Sequence, residues 1–283
     1  MFKEPFLKGE VVIITGGGTG LGRSMGLRFA ELGASLVLTS RKKENLEKAG
    51  AEMKQRGARF GHAPQVLTIP CDIRKPEEVE AMVEKTMKEM GRIDVLINNA
   101  AGNFLCPTEM LSYNAFNAVV GIVLHGSFNC TLAAGRKMIE SGRGGRILSI
   151  VTTYVWTGSA YVVPSACGKA GVAAMTQSLA VEWARYKIRL NAIAPGPFHT
   201  EGAWKNLVPP GVEEKMLQRI PLRRLGRHEE LADLAAYLIS PYAAYINGEI
   251  VTIDGGEWLQ GAGQFNWASQ LTPEDWQAMT SRK

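Results

Sequence analysis

The chain has 283 residues, 46% of them hydrophobic and 21% charged, with a formal net charge of +5. That length suits one large domain or two small ones with a well-buried core, in an ordinary soluble globular balance. The positive excess is too small and too dispersed to point to nucleic acid, but it suits an acidic ligand such as a nucleotide or a coenzyme A ester.

Short apolar runs alternate with helical segments along nearly the whole chain. "EVVIIT" leads to "GLGRSMGLRFAELG", "SLVLTS" to "KKENLEKAGAEMKQR", and "QVLTIPCD" to "KPEEVEAMVEKTMKEMG". "IDVLINNAA" precedes a long helical segment from Ser112 to Glu140, and "GRILSIVTT" precedes "PSACGKAGVAAMTQSLAVEWARY". "IRLNAIAP", "HEELADLAAYLIS" and "GEIVTIDGG" close the series. Apolar strands bounded by turn residues and separated by helices read as βαβ units of a parallel sheet covered on both faces. The expectation is an α/β fold: one Rossmann-type, doubly wound domain over residues 1–283, with seven parallel strands and helices on both faces.

Two segments break the rhythm. Residues 198–224 sit between a strand and a helix, where a lid over a ligand belongs. Residues 258–283, with Trp258, Trp267 and Trp276, read as a loose end or, preferably, a subunit-docking arm, because exposed tryptophan is disfavoured. The four cysteines and four histidines are scattered, so a reducing compartment and no metal site are expected. No apolar run approaches the roughly 18 residues that span a bilayer. "MFKEPFLKGE" carries no export or transit pattern, and "SRK" is not the S-K-L address, so no membrane and a cytoplasmic location are expected.

"TGGGTGLG", Thr15–Gly22, follows the first strand and opens the first helix. Gly16, Gly20 and Gly22 let the backbone approach a pyrophosphate whose charge the helix N-terminus stabilises. The G-x-x-x-G-x-G spacing resembles that of the short-chain dehydrogenases/reductases. In that context Ser40 and Arg41 end the second strand where an acid would select NAD. Arg41 can instead pair with a 2′-phosphate, which favours NADPH. The resemblance adds Gly18, Thr19, Leu21, Asp72, Ile73, Asn99 and Ala100 to the cofactor set, with Pro195, Gly196 and Phe198 bordering the nicotinamide.

That family usually carries Y-x-x-x-K on the helix after the fifth strand, where i, i+4 spacing puts both side chains on one face. Here Lys169 is present but Ser165 stands in the tyrosine's place, and an aliphatic hydroxyl is too weak an acid to replace a phenol. Val123 takes the place of the family's helix asparagine. Tyr161 precedes Pro164 and so falls outside the helix. Tyr154, just past the fifth strand, is the better candidate. With "INNAAGNF", "YVVPSA", "LAVEW", "PGP", "RLG" and "YINGE", the pattern is similar to the 2,4-dienoyl-CoA reductase branch, in its mitochondrial form.

The resemblance implies NADPH-dependent reduction of 2,4-dienoyl-CoA to 3-enoyl-CoA in β-oxidation of unsaturated fatty acids, by a homotetramer. Tyr154 and Asn103 would donate hydrogen bonds to the thioester oxygen, Lys169 would hold the nicotinamide ribose, and Ser165 would support the site. Phe104 and Ser112 match substrate-contacting positions, with core packing and helix capping as their structural alternatives. One departure is Asn206, where the branch offers an arginine to coenzyme A; Lys205 is the available substitute. The competing readings are a carbonyl or 3-oxoacyl-thioester reductase and a non-catalytic nucleotide-binding protein.

Overall fold

Valine, isoleucine and leucine fill the strand interiors, so every strand can be buried on both sides. In the computed structural model, which describes residues 5–209 and 211–281, the seven apolar runs form one parallel sheet. The strands are β1 (Val11–Thr15), β2 (Ser35–Ser40), β3 (Val66–Pro70), β4 (Val95–Asn98), β5 (Gly145–Ile150), β6 (Ile188–Pro195) and β7 (Ile250–Ile253). Their order is β3-β2-β1-β4-β5-β6-β7, the doubly wound Rossmann-type arrangement expected from the sequence. The order reverses beside β1, so the loops leaving β1 and β4 diverge and open a crevice at their carboxyl ends.

Helices α1 (Gly20–Glu31), α2 (Lys43–Arg59) and α3 (Pro76–Met90) follow the first three strands. Pro76 opens α3 with Glu77 and Glu78 in its first turn, and Gly91 ends it in the left-handed region at φ 73°. Alternation along β1 divides the core. Val12 and Ile14 pack with Met25 and Phe29 of α1 and Met53 of α2, whereas Val11 and Ile13 pack with Val79 and Met82 of α3.

After β4, α4 (Tyr113–Val120) and α5 (Gly126–Ser141) are joined by a π turn at Gly121–His125 into one continuous helix of 29 residues. By length and composition this helix is apolar enough to cross a bilayer, contrary to the expectation that no segment is. Half of its most apolar window is buried in the fold, much of it against α3 and the sheet. The π turn is a register slip that apolar periodicity does not reveal. It sets Val123 beside Gly168, where an added Cβ would lie 3.0 Å from the valine.

Beyond β5 come the single turn α6 (Tyr154–Thr157) and the long α7 (Val163–Glu182). The lid segment contains α8 (Glu201–Leu207) and α9 (Glu213–Arg219), and α10 (His228–Ile239) covers the sheet beside α1. After β7 follow α11 (Glu257–Ala262) and α12 (Pro273–Thr280).

The turn between β7 and α11 joins the lid to α6. Gly255 and Gly256 have φ of 66° and 88°, and a Cβ on Gly255 would sit 2.8 Å from Ile220 of the lid. Asp254 accepts hydrogen bonds from the N–H groups of Gly256 and Trp258, each at 2.8 Å, which starts α11. Glu257 lies 3.6 Å from Arg219 of α9. Trp258 stacks on Trp156 of α6, with ring centroids 4.6 Å apart and planes 20° apart. The tail's first tryptophan is thus docked on its own chain, while Trp267 and Trp276 remain exposed. Truncating Trp156 and Trp258 singly and together to alanine should give a coupling energy of about 1 kcal/mol in denaturant unfolding. Additive losses would mean that the stack contributes nothing.

Candidate active site

The phosphate loop closes on the segment after β4 rather than standing free. The Thr15 hydroxyl accepts the N–H groups of Asn99 and Ala100, each at 3.0 Å. Asn99 returns its side-chain amide to the carbonyls of Thr15 and Gly16, at 2.9 and 3.3 Å. Gly16 and Gly20 have φ of 65° and 52°. At Gly22 even a methyl group would come within 2.4 Å of the Gly16 carbonyl, so the loop can close this tightly only with glycine there. Thr19 precedes α1 without a capping side-chain bond, and the first turn holds no acid. The leading amides of α1, from Gly20 and Leu21 on, are therefore left for an external anion. Gly18 packs against the backbone of Asn45. Thr200, at the head of α8, lies over Gly20, so the lid starts on the loop itself.

Ser40 is half-buried at the end of β2, and Arg41 beside it is exposed. The Arg74 guanidinium binds both oxygens of Asp72 and, with the charge of Arg41 adding to it, holds that carboxyl down at about 2. Ile73 and Phe198 both have buried side chains, the first against Gly126 and the second against Gly226, so only their backbones are left to a ligand. Gly196 packs on Asp254, which fixes the Pro195–Gly196 turn to the end of β7.

Tyr154, Ser165 and Lys169 form one contiguous group. The Tyr154 hydroxyl lies 2.9 Å from Ser165 Oγ on α7. Burial raises the phenol above its ordinary value, against the hydrogen bonds of Ser165 and Thr152, which lower it. Lys169, one turn further along α7, is buried and donates to the carbonyl of Ile150. Burial alone pulls its ammonium down to about 8. Tyr161 lies outside α7, as expected from Pro164 in the helix's first turn, and is exposed with φ 65°.

Asn103 follows β4, next to β5 in the sheet. Its Oδ1 accepts the N–H of Phe104 at 2.9 Å. That bond fixes the amide orientation and leaves the two Nδ2 protons free of partners among the described residues. Cys106 N–H donates to the Tyr161 carbonyl at 2.9 Å, tying the Asn103 loop to the loop after α6. Phe104 is half-buried against the cluster of Val119, Val123 and Val172. Ser112 caps α4 by accepting the Ala115 N–H at 3.2 Å.

Three contributors carry no signal in the sequence. Thr15 locks the two loops together. His228 donates from Nε2 to the His199 carbonyl at 2.7 Å and meets the Ser24 hydroxyl at 2.8 Å, which pins the lid base to α1 and α10. His199 packs on Trp204 of α8, whose indole N–H is buried without a partner among the described residues.

The residues fit a dinucleotide: uncapped amides at α1, a glycine turn with no side chains to block a close approach, and a buried lysine with no carboxylate partner among the described residues. The family model described as Enoyl-(Acyl carrier protein) reductase matches residues 16–257. A Bacillus subtilis (strain 168) protein named "Probable 2,4-dienoyl-CoA reductase", (2E)-enoyl-CoA-producing, is 45% identical over 252 residues, covering 88% of this chain and 97% of its own. A Caenorhabditis elegans protein named "Probable 2,4-dienoyl-CoA reductase 3", (3E)-enoyl-CoA-producing, is 41% identical, covering 91% of this chain and 83% of its own. The crystal structure of a short chain dehydrogenase from Bacillus anthracis str. 'Ames Ancestor' superposes with a TM-score of 0.82 at 47% identity, covering 92% of this chain and 99% of that one. Likeness of this depth, over nearly the whole fold, makes the chain an oxidoreductase of the short-chain dehydrogenase/reductase family, in its 2,4-dienoyl-CoA reductase branch.

Proposed function

We propose that the protein uses NADPH to reduce 2,4-dienoyl-CoA thioesters to 3-enoyl-CoA, a step in the β-oxidation of unsaturated fatty acids. The observation that carries this reading is the 2.9 Å contact between the Tyr154 phenol and Ser165. It brings a phenol from α6 to the position four residues before Lys169 that a Y-x-x-x-K tyrosine would fill. The names of the relatives at 45% and 41% identity both support reduction of a dienoyl-CoA; the 41% relative is named for the 3-enoyl product and the 45% relative for the 2-enoyl product.

Bound NADPH would supply hydride to the δ carbon, so that negative charge develops on the thioester oxygen. Tyr154 stays a neutral phenol at pH 7, because burial raises its pKa above the ordinary phenol value. With its proton aimed at that oxygen, Ser165 donates to the phenolic oxygen and polarises it. Asn103 supplies the second donor through Nδ2. Two preorganised donors on a developing oxyanion are the largest single contribution such a site offers. Water then protonates the α carbon. Lys169 holds the nicotinamide ribose, and Arg41 and Ser40 receive the 2′-phosphate. Asp72 would be the residue that meets the adenine. On the lid, Lys205 replaces the missing arginine toward coenzyme A, and Phe104 walls the acyl chain. Leu124, Phe128 and Met175 line an apolar cleft between the long helix and α7, the face on which the expected homotetramer would assemble.

Purified protein with NADPH should consume 2,4-hexadienoyl-CoA and release the 3-enoyl product, identified by chromatography against the 2-enoyl isomer. Tyr154→Phe and Asn103→Ala should each lower kcat by about 10²–10³ while NADPH still binds. Turnover of 3-oxoacyl-CoA without dienoyl-CoA turnover would select the carbonyl reductase, and cofactor binding without turnover the non-catalytic reading.

Lys169 also predicts a pH dependence. In the free protein its proton leaves near pH 8, well below the usual lysine value, so above that pH a ligand that needs the ammonium must bind a proton as well. NADPH affinity should be flat below pH 8 and fall by up to about tenfold per pH unit above it, measured by fluorescence titration. The same titration on Lys169→Met should lose the slope.

Arg41→Ser should weaken NADPH about 10- to 100-fold and leave NADH within about twofold, since only NADPH carries the phosphate. Equal losses for both cofactors would remove Arg41 from the 2′-phosphate.

A further inference from the structure

The positive charge that reads as dispersed along the sequence is gathered by the fold at the opposite end of the sheet from the candidate active site. A cleft of about 570 Å³ opens there, beside the starts of β1, β4, β5 and β6 and the turn before β7. Arg92, Arg143, Arg146, Lys187 and Arg189 line it, against Glu10 and Asp94 as the only acids.

Both acids are already committed. Buried Asp94 accepts two hydrogen bonds from Arg92, at 2.7 and 2.6 Å, and the N–H of Val11 at 2.8 Å. Glu10 pairs with Arg146. The other three cations have no carboxylate partner among the described residues. Arg189 donates to the carbonyls of Ile246, Leu238 and Ser240 at 3.0, 3.1 and 3.2 Å. The side chains of Arg143 and Lys187 have no partner among the described residues.

Sheet register makes the arrangement costly. Arg146 and Arg189 are direct partners across β5 and β6. Partnered positions on adjacent strands project to the same face, and like charges placed so destabilise a sheet. Arg146 Nε is buried with no acceptor among the described residues, and burial together with the Arg146 charge holds the Arg189 guanidinium below its usual value. The rim is fixed by backbone. Lys187 has φ 60°, Gly145 N–H donates to its carbonyl at 3.2 Å, and a Cβ on Gly144 would meet that carbonyl at 2.4 Å. A non-glycine residue held in the left-handed region beside a glycine that admits it marks a built corner.

We propose that this cleft is a second anion site, one that takes a phosphate monoester group, with Arg146 and Arg189 as its floor and Arg143 and Lys187 as its rim. Three cations without carboxylates match a dianion better than a single carboxylate, and the volume accommodates the phosphate with a small organic body. The site lies a full strand length from the candidate cofactor crevice, so it does not depend on the proposed reduction and should fill while that crevice is occupied.

Calorimetric titration of protein saturated with NADPH tests it, using glycerol 3-phosphate as one probe. Vesicles of phosphatidic acid in phosphatidylcholine, measured by co-sedimentation, are the other. Saturable binding of either, weakened about 10- to 100-fold by Arg143→Ala with Lys187→Ala, supports the site; the probe that binds tells a free phosphate ester from a lipid headgroup. Both substitutions are on the exposed rim and should leave the fold and the thermal transition intact. Lys48→Ala with Lys54→Ala, on α2, should change nothing. Absence of binding to both probes, or binding that the rim variant leaves unchanged or the α2 variant weakens equally, overturns the proposal.

Discussion

The hydrogen bond between Tyr154 and Ser165 is the interaction on which the candidate site turns. A phenol must reach the start of α7 from outside that helix, which demands a short, rigid turn immediately beyond β5. The α6 turn supplies it, and the structure supports α6 from three directions. Ser165 holds the hydroxyl from α7, Cys106 holds the following loop from the β4 side, and Trp258 stacks on Trp156 from α11. Removing the tyrosine from α7 thus transfers its positioning from a regular helix to a set of tertiary contacts. Those contacts also run into the lid, through Glu257 and through the seat of Ile220 on Gly255. In the proposed reading, lid closure and the placement of the phenol share one mechanical support.

Burial acts on the two titrating groups in opposite senses that suit the same task. It keeps Tyr154 protonated, so the phenol is a donor rather than a phenolate, and it lowers the Lys169 ammonium to about 8. Where a carbonyl is reduced directly, an ammonium beside the tyrosine serves to make that tyrosine acidic. Here no charge interaction links the lysine to Tyr154, and among the described residues the lysine's only partner is a backbone carbonyl. A buried ammonium without a counter-ion is costly to hold, and in the proposed reading hydroxyl partners offset that cost without adding an anion.

The fold was legible wherever apolar period and turn residues agree. All seven strands and the long helices between them follow from runs such as "EVVIIT" and helical segments such as "KPEEVEAMVEKTMKEMG", because parallel strands buried on both faces leave an unmistakable pattern. The glycine loop was legible because its chemistry is local. What stayed hidden is tertiary. The π turn at Gly121–His125 leaves composition and periodicity unchanged, and α6 is a single turn among glycines. The Trp156–Trp258 stack joins residues more than a hundred positions apart. Ile73 and Phe198 sit where the family's cofactor contacts fall, yet their side chains serve the core; a motif gives the position of a residue, not which of its groups faces the ligand.

Charge shows the same limit most clearly. Arg143, Arg146, Lys187 and Arg189 belong to two segments some forty residues apart, each interrupted by apolar and glycine positions, so neither reads as a basic block. Parallel pairing of β5 with β6 places the two segments side by side and in register, and a modest linear charge becomes a local excess. A parallel sheet sends all its strand starts to one end. Any cation that recurs at the beginning of successive strands is therefore concentrated there, on the far side of the sheet from the crevice formed where the strands finish. Two poles, one shaped by glycine and a helix N-terminus and the other by guanidinium groups, follow from the same topology. The first is recognisable in sequence because its residues are contiguous; the second exists only once the strands have paired.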